Sequence, residues 1–245
     1  MIDPQASPAV APHAAACQLV LDLPHAEGED LTDFMPAGSN QAALDAVLGW
    51  PAWPGFACLL IGPAACGKSH LAKIWARRAG AVVLRGPELW EPAEPLRRIH
   101  VARACVVDDA DAVAQEPQLF HLWNLMAERG GSLLLTARAP VPAWGLRLPD
   151  LRSRVLTAWP IRIGAPDDEL LGALLVKQLA DRQIRTDQEV VAFLTRRIER
   201  SFAAARLVVR ALDRASLRAR RPITMPLARA VLDELAAERT DQGEM

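Results

Sequence analysis

Eight residues, Gly62-Pro63-Ala64-Ala65-Cys66-Gly67-Lys68-Ser69, carry the spacing G-x-x-x-x-G-K-[ST] in full. The chemistry this spacing supports is the cradling of a nucleoside phosphate. Its glycines let backbone N–H groups turn toward a β-phosphate at a helix N-terminus, Lys68 brings positive charge to the β- and γ-oxygens, and the Ser69 hydroxyl can ligate Mg²⁺. Such a site needs a second, acidic strand end, and Ala104-Cys105-Val106-Val107-Asp108-Asp109 provides one. Asp108 is expected in the Mg²⁺ shell and Asp109 is placed to orient an attacking water, a role that Glu fills more often. Leu133-Leu134-Leu135-Thr136 is a further buried run with a polar tip. It sets Thr136 beside a γ-phosphate as a sensing hydrogen-bond donor.

These residues need a scaffold, and the pattern around them supplies it. From Phe56 onward the apolar runs FACLLI, AVVLR, ACVVDD and SLLLTA alternate with helical stretches over 68–79 and around 117–128. Strands alternating with helices of this length predict crossover units and a parallel sheet. The phosphate-binding octet falls between FACLLI and the helix SHLAKIWARRA, as a phosphate loop requires. After Pro166 the pattern is helical only. Asp167, Asp168 and Glu169 supply acids for a first turn, and Leu170, Leu171, Leu174, Leu175 and Leu179 recur at helical spacing. Further helices are expected over 187–198, 203–219 and 226–238. The expected architecture is therefore an α/β lobe over 25–165, a P-loop parallel sheet flanked by helices, followed by a small α-helical lid over 166–240. Residues 1–17 are rich in Pro and Ala without a periodic apolar face and read as a flexible tail; residues 18–24 form a separate short segment.

The bulk composition narrows the class. At 245 residues with 51% apolar and 23% charged residues, the chain can bury a sizeable core. No apolar run approaches the roughly 18 residues needed to cross a bilayer, and no Lys or Arg precedes the N-terminal Ala-rich stretch, so a cytoplasmic location is expected and no membrane partner. Cys17, Cys58, Cys66 and Cys105 are scattered without CxxC spacing and read as reduced thiols. The net charge of −1 conceals an asymmetry: residues 1–67 hold seven acids and no Lys or Arg, whereas 147–221 hold sixteen basic against nine acidic residues. Arg outnumbers Lys 25 to 3, so coding bias accounts for part of that basic excess. The seven tryptophans read as core and lobe-interface packing.

The order of phosphate loop, Asp-Asp strand, Thr-tipped strand, Leu148-Pro149-Asp150-Leu151-Arg152-Ser153-Arg154 and helical lid resembles the AAA+ ATPases of the bacterial replication initiator DnaA clade. Gly67-Lys68-Ser69-His70-Leu71, and Asp33-Phe34 followed by Gly38-Ser39-Asn40, also suit that clade. The resemblance covers about residues 18–238. Within the clade the chain is similar to the Hda family, short DnaA paralogues that act as regulatory inactivators of DnaA. No length remains after the lid for the DNA-binding domain of DnaA, Gln18-Leu19-Val20-Leu21-Asp22-Leu23-Pro24 is similar to the segment by which Hda docks on the sliding clamp, and Leu212-Asp213-Arg214-Ala215-Ser216 with Pro222-Ile223-Thr224 resembles the Hda lid ending.

That resemblance implies ADP or ATP with Mg²⁺ held by residues 62–70, His70 included. It implies docking of Gln18, Leu19, Leu21, Leu23 and Pro24 on the DNA polymerase III β sliding clamp, and Arg154 as an arginine finger acting on DnaA-bound ATP. DNA would be met mainly indirectly through the clamp, and a homo-oligomer is an option the family allows. One departure stands out. The lid arginine that senses nucleotide in this family falls where the chain has Ala203, while Arg206 lies one helical turn later and could reach the site. The chain's own hydrolysis is thus expected to be weak or absent. The alternative is an autonomous ATPase such as a helicase loader or remodelling motor; Asp109 in place of Glu, Ala203 and the Gln18 segment favour the adaptor.

Overall fold

The computed structural model describes residues 31, 34–88, 102–219 and 221–243. The Gln18–Pro24 segment, Cys17, Asp33 and Trp90 lie outside the described residues. Five parallel strands form the sheet: β1 (Ala57–Ile61), β2 (Val82–Arg85), β3 (Ala104–Asp108), β4 (Ser132–Ala137) and β5 (Trp159–Arg162), in the spatial order β2-β3-β4-β1-β5. β1 pairs with β4 on one side and β5 on the other, so all five of its residues are buried. A strand enclosed on both faces has no use for polar alternation, which is why it reads as a continuous apolar run.

The period of two still sorts its side chains. Cys58 and Leu60 join the core on one face with Leu71, Ile74 and Trp75 of α2 (Lys68–Ala79) and residues of α1 (Gln41–Leu48). Ala57, Leu59 and Ile61 point to the other face, into a core with Leu119, Leu122, Trp123 and Met126 of α3 (Glu116–Glu128) and Leu151 and Val155 of α4 (Pro149–Val155). Trp75 is fully buried, with Trp53 stacked at 5.2 Å and Trp50 edge-on at 6.0 Å between ring centroids. The thiols of Cys58 and Cys105 sit inside these cores, where burial pushes them up to about 12, so they stay protonated at neutral pH.

Four helices follow: α5 (Asp168–Asp181), α6 (Gln188–Thr195), α7 (Phe202–Ala219) and α8 (Met225–Gly243). Leu171, Leu175 and Leu179 of α5 meet Val190, Leu194, Val208, Leu212 and Val231 in a third core. Leu170 of the same helix, together with Phe202, belongs instead to the α1/α2 core of the sheet. A helix with one apolar face in each core ties lid to lobe. The Asp167 carboxylate caps α5, accepting from the Leu170 N–H at 2.8 Å. Asp167→Ala should therefore cost about 1 kcal/mol of stability and Asp167→Asn only a few tenths, as read by urea unfolding. Three elements, β5, α1 and α4, are additions to the sequence expectation. Trp159-Pro160-Ile161-Arg162 is an edge strand whose Pro160 and Arg162 face outward, so it has neither a continuous apolar run nor clean strand composition.

Candidate functional site

The loop after β1 is shaped by close approach. A Cβ added at Gly62 would come within 2.8 Å of the Cys66 sulfur and 3.0 Å of the Ile163 carbonyl oxygen, so only glycine fits without a shift. Ala65 (φ 63°) and Gly67 (φ 92°) are both left-handed, which turns successive backbone N–H groups toward one concavity at the start of α2. Phe34 covers this turn: its ring lies 3.1 Å from where a Gly67 Cβ would stand and packs edge-on against His70 at 5.7 Å between centroids. Asn40 fixes the segment carrying Phe34 by accepting from the Ala37 N–H at 2.8 Å and donating to the Met35 carbonyl at 2.9 Å.

Lys68 is only 6% exposed. Its ammonium donates to the carbonyls of Gly62 (2.9 Å) and Pro63 (2.8 Å) and lies 3.7 Å from the Cys66 sulfur. Burial raises the Cys66 thiol above its ordinary value despite the opposing charge of Lys68. Below the loop, the Ser69 hydroxyl donates to Asp108 Oδ1 at 3.0 Å, and the Thr136 hydroxyl donates to the same oxygen at 2.6 Å. Thr136 is fully buried and also accepts from the Asp109 N–H at 2.9 Å. The three sequence-distant candidates Ser69, Asp108 and Thr136 thus converge on one carboxylate oxygen. This differs from the expected geometry in one respect: the Thr136 hydroxyl, set from sequence beside a γ-phosphate, is engaged on both sides by the Asp108–Asp109 pair. It orients that pair.

Asp109 is itself left-handed (φ 54°), and a Cβ at Gly86 would collide with its carbonyl oxygen. Its carboxylate faces Arg138 Nε at 3.9 Å, while the Arg138 N–H donates to Asp111 at 2.7 Å. The sequence reading missed Arg138; its position two residues past Thr136, at the exit of β4, was the available signal.

The lid reaches the loop. A cleft of about 340 Å³ is lined by Pro63 and Ala64 on one side and by Glu199, Ala203 and Leu207, among others, on the other. Position 203 therefore lines the same cleft as the phosphate loop, with a methyl group and no charge. Arg206, offered from sequence as its substitute, does not line this cleft. Arg154 stands in the last turn of α4, exposed, with its guanidinium 5.0 Å from the Phe120 ring centroid. It takes no part in the Lys68–Ser69–Asp108–Thr136 network.

The donor set suits a hard cation on a nucleotide. A hydroxyl and a carboxylate meet at Ser69 and Asp108, and among the described residues no group of three or more His, Cys, Asp or Glu could hold a metal unaided. Mg²⁺ is bound in this way, by one or two carboxylates with phosphate oxygens completing its shell.

A five-stranded parallel sheet in this order, helices on both faces, a phosphate loop after the central strand and a helical lid define an AAA+ module. Solved structures agree in fold. Domain III of the Thermotoga maritima replication initiation protein DnaA superposes with a TM-score of 0.73 at 14% identity, covering 86% of this chain and 98% of that one. AMPPCP-bound DnaA from Aquifex aeolicus gives 0.61 at 13% identity over 74% of this chain, which spans 63% of that longer protein. The Thermotoga maritima RuvB Holliday junction branch migration motor gives 0.65 at 15% identity over 85% of this chain and 72% of that chain. Residues 167–232 match the family model described as "Hda, lid domain". The chain therefore shares the AAA+ fold of these structures, and its residues 167–232 match an Hda lid domain. Among the described residues no helix is long and apolar enough to cross a membrane.

Proposed function

We propose that this protein is a clamp-associated AAA+ adaptor that promotes hydrolysis of DnaA-bound ATP and so restrains initiation of chromosome replication. The observation that carries this reading is the Hda lid over 167–232, joined to a lobe whose Arg154 is exposed and outside the chain's own phosphate network. In this reading ADP or ATP occupies the loop Gly62–Ser69 beside His70, with Lys68 and the loop N–H groups on its phosphates. Mg²⁺, held by Ser69 and Asp108 with Thr136 orienting the carboxylate, would neutralise phosphate charge there. The loop residues and the lid residues that line the cleft would hold the nucleotide between them, and so fix the lobes in the posture that presents Arg154 to DnaA. On DnaA, water attacks the γ-phosphorus and ADP departs; the Arg154 guanidinium stabilises the charge that spreads over the transferring phosphoryl oxygens.

Asp109 and Ala203 support a weak turnover of the chain's own nucleotide. The Asp109 carboxylate is turned toward Arg138, and the lid face toward the loop lacks a cation at 203. An assay that adds DNA-loaded clamp and then ATP-bound DnaA stepwise tests the function. Hydrolysis should appear only when all components are present, and rapid hydrolysis by the chain alone would favour an autonomous motor.

Clamp docking is assigned to Gln18, Leu19, Leu21, Leu23 and Pro24, a short segment able to place alternate leucines in an apolar groove. Deleting residues 1–24, or changing Gln18, Leu19 and Leu23 to Ala, should abolish clamp pull-down while leaving the ADP-induced thermal shift unchanged. Undiminished pull-down removes the segment from the function.

A further inference from the structure

The lid has a charged face that the nucleotide cleft does not use. Thr186 and Ile223 form a parallel bridge, and each chain enters its helix two residues later, at Gln188 for α6 and Met225 for α8. The two helices therefore set out side by side. At the shared start, Arg185 lines a hollow with Thr186, Asp187 and Thr224. Farther along the seam two arginines converge on one ring: the guanidinium carbon of Arg197 lies 4.5 Å, and that of Arg229 5.7 Å, from the centroid of Phe193. Both arginines are exposed. Lid ion pairs join Lys177 to Asp181, Arg182 to Asp213 and Arg200 to Asp168, and neither Arg197 nor Arg229 has a carboxylate partner among the described residues.

Two like charges drawn to one ring repel each other, and the ring face offsets only part of that cost. A polyanion bridging them would remove it. An acidic protein surface fits this face less well, because protein interfaces are anchored by desolvated apolar or aromatic side chains. The exposed large apolar residues of the lid are Val176, Leu207 and Leu217, on α5 and α7, with none on the described parts of α6 or α8. Phe193 is half-buried, with the Arg197 guanidinium over its ring. Exposed arginines without carboxylate partners and without an apolar anchor suit a phosphate backbone contacted locally, between the exposed acids Asp187, Glu189, Asp233 and Glu234 of the same segments. The eight residues of α6 rise about 12 Å. Duplex DNA carries about seven charges over that length.

We propose that the α6/α8 face of the lid, through Arg197 and Arg229 with Arg185 at its end, binds the backbone of duplex DNA directly. The test is fluorescence anisotropy of the full chain with a labelled random-sequence duplex over a salt series, without clamp or DnaA, so that it stands apart from the adaptor reading. Arg197→Ala/Arg229→Ala should weaken binding about tenfold or more and reduce the salt slope by about two. Arg197→Lys/Arg229→Lys should keep the slope, which separates lost charge from lost fold. The equally charge-changing pair Arg210→Ala/Arg218→Ala, on exposed positions of α7, should leave the slope nearly as it is. An unchanged slope in the first variant, an equal loss in the α7 pair, or displacement of DNA by poly-glutamate at equal charge concentration each overturns the assignment.

Discussion

Arg154→Ala should bind nucleotide and clamp as the parent does, unfold at the same denaturant concentration, and lose about a thousandfold or more of its stimulation of DnaA-bound ATP hydrolysis. The size of the effect follows from what the residue does in each setting. Within the chain, Arg154 is exposed and its guanidinium rests 5.0 Å from the Phe120 centroid, a contact worth about 0.5–1 kcal/mol at such a site. Removing it therefore changes stability little. Against a transferring γ-phosphoryl group, the same planar fork of permanent donors meets charge that develops only in the transition state. Arg154→Lys should be nearly as defective as the alanine variant, since an ammonium keeps charge but not the fork. Single-turnover hydrolysis of labelled ATP preloaded on DnaA is the measurement, because it excludes the chain's own turnover. Full stimulation by Arg154→Ala would falsify the role and move attention to the neighbouring exposed Arg152.

What the sequence made visible divides along physical lines. β1, β3 and β4 were legible because strands covered on both faces are continuous apolar runs, and the loop–helix junction was legible because close approach at Gly62 and a left-handed turn at Gly67 leave few residue choices. β5 was not, since an edge strand tolerates Pro160 and outward Arg162. The meeting of Ser69, Asp108 and Thr136 was foreseen as a neighbourhood but not as a bonding pattern. That pattern depends on parallel register, with Leu60 level with Thr136 and Val107 with Leu135, and register is a property of the assembled sheet. Arg138 was missed for the same reason: its partners Asp109 and Asp111 come from the neighbouring strand's exit. In the lid, helical spacing alone could not decide between Ala203 and Arg206. The orientation of α7, set by Phe202 in the lobe core and Val208 and Leu212 in the lid core, puts 203 on the cleft.

The second large effect concerns Lys68. Its ammonium is buried and donates to two carbonyls of its own loop, so its charge helps to hold the loop together. On the proposed reading a bound nucleotide would offer phosphate oxygens in place of those carbonyls, and a charge-assisted bond to phosphate is the stronger one. Lys68→Met keeps bulk while removing both functions. It should weaken ADP binding about a hundredfold or more, and at ligand concentrations far above the parent Kd that removes about 2.7 kcal/mol of nucleotide-dependent stabilisation. The ligand-free variant should also be less stable, because the carbonyls of Gly62 and Pro63 lose a charged donor and such bonds contribute about 1.5–3 kcal/mol. The two losses are separable by experiment: the first is the difference between thermal melts with and without ADP, the second a shift of the ligand-free melt alone. If Lys68→Met lowers the ligand-free melt yet retains the parent's full ADP shift, the lysine is a structural clasp of the loop and the phosphates are held by backbone N–H groups without it.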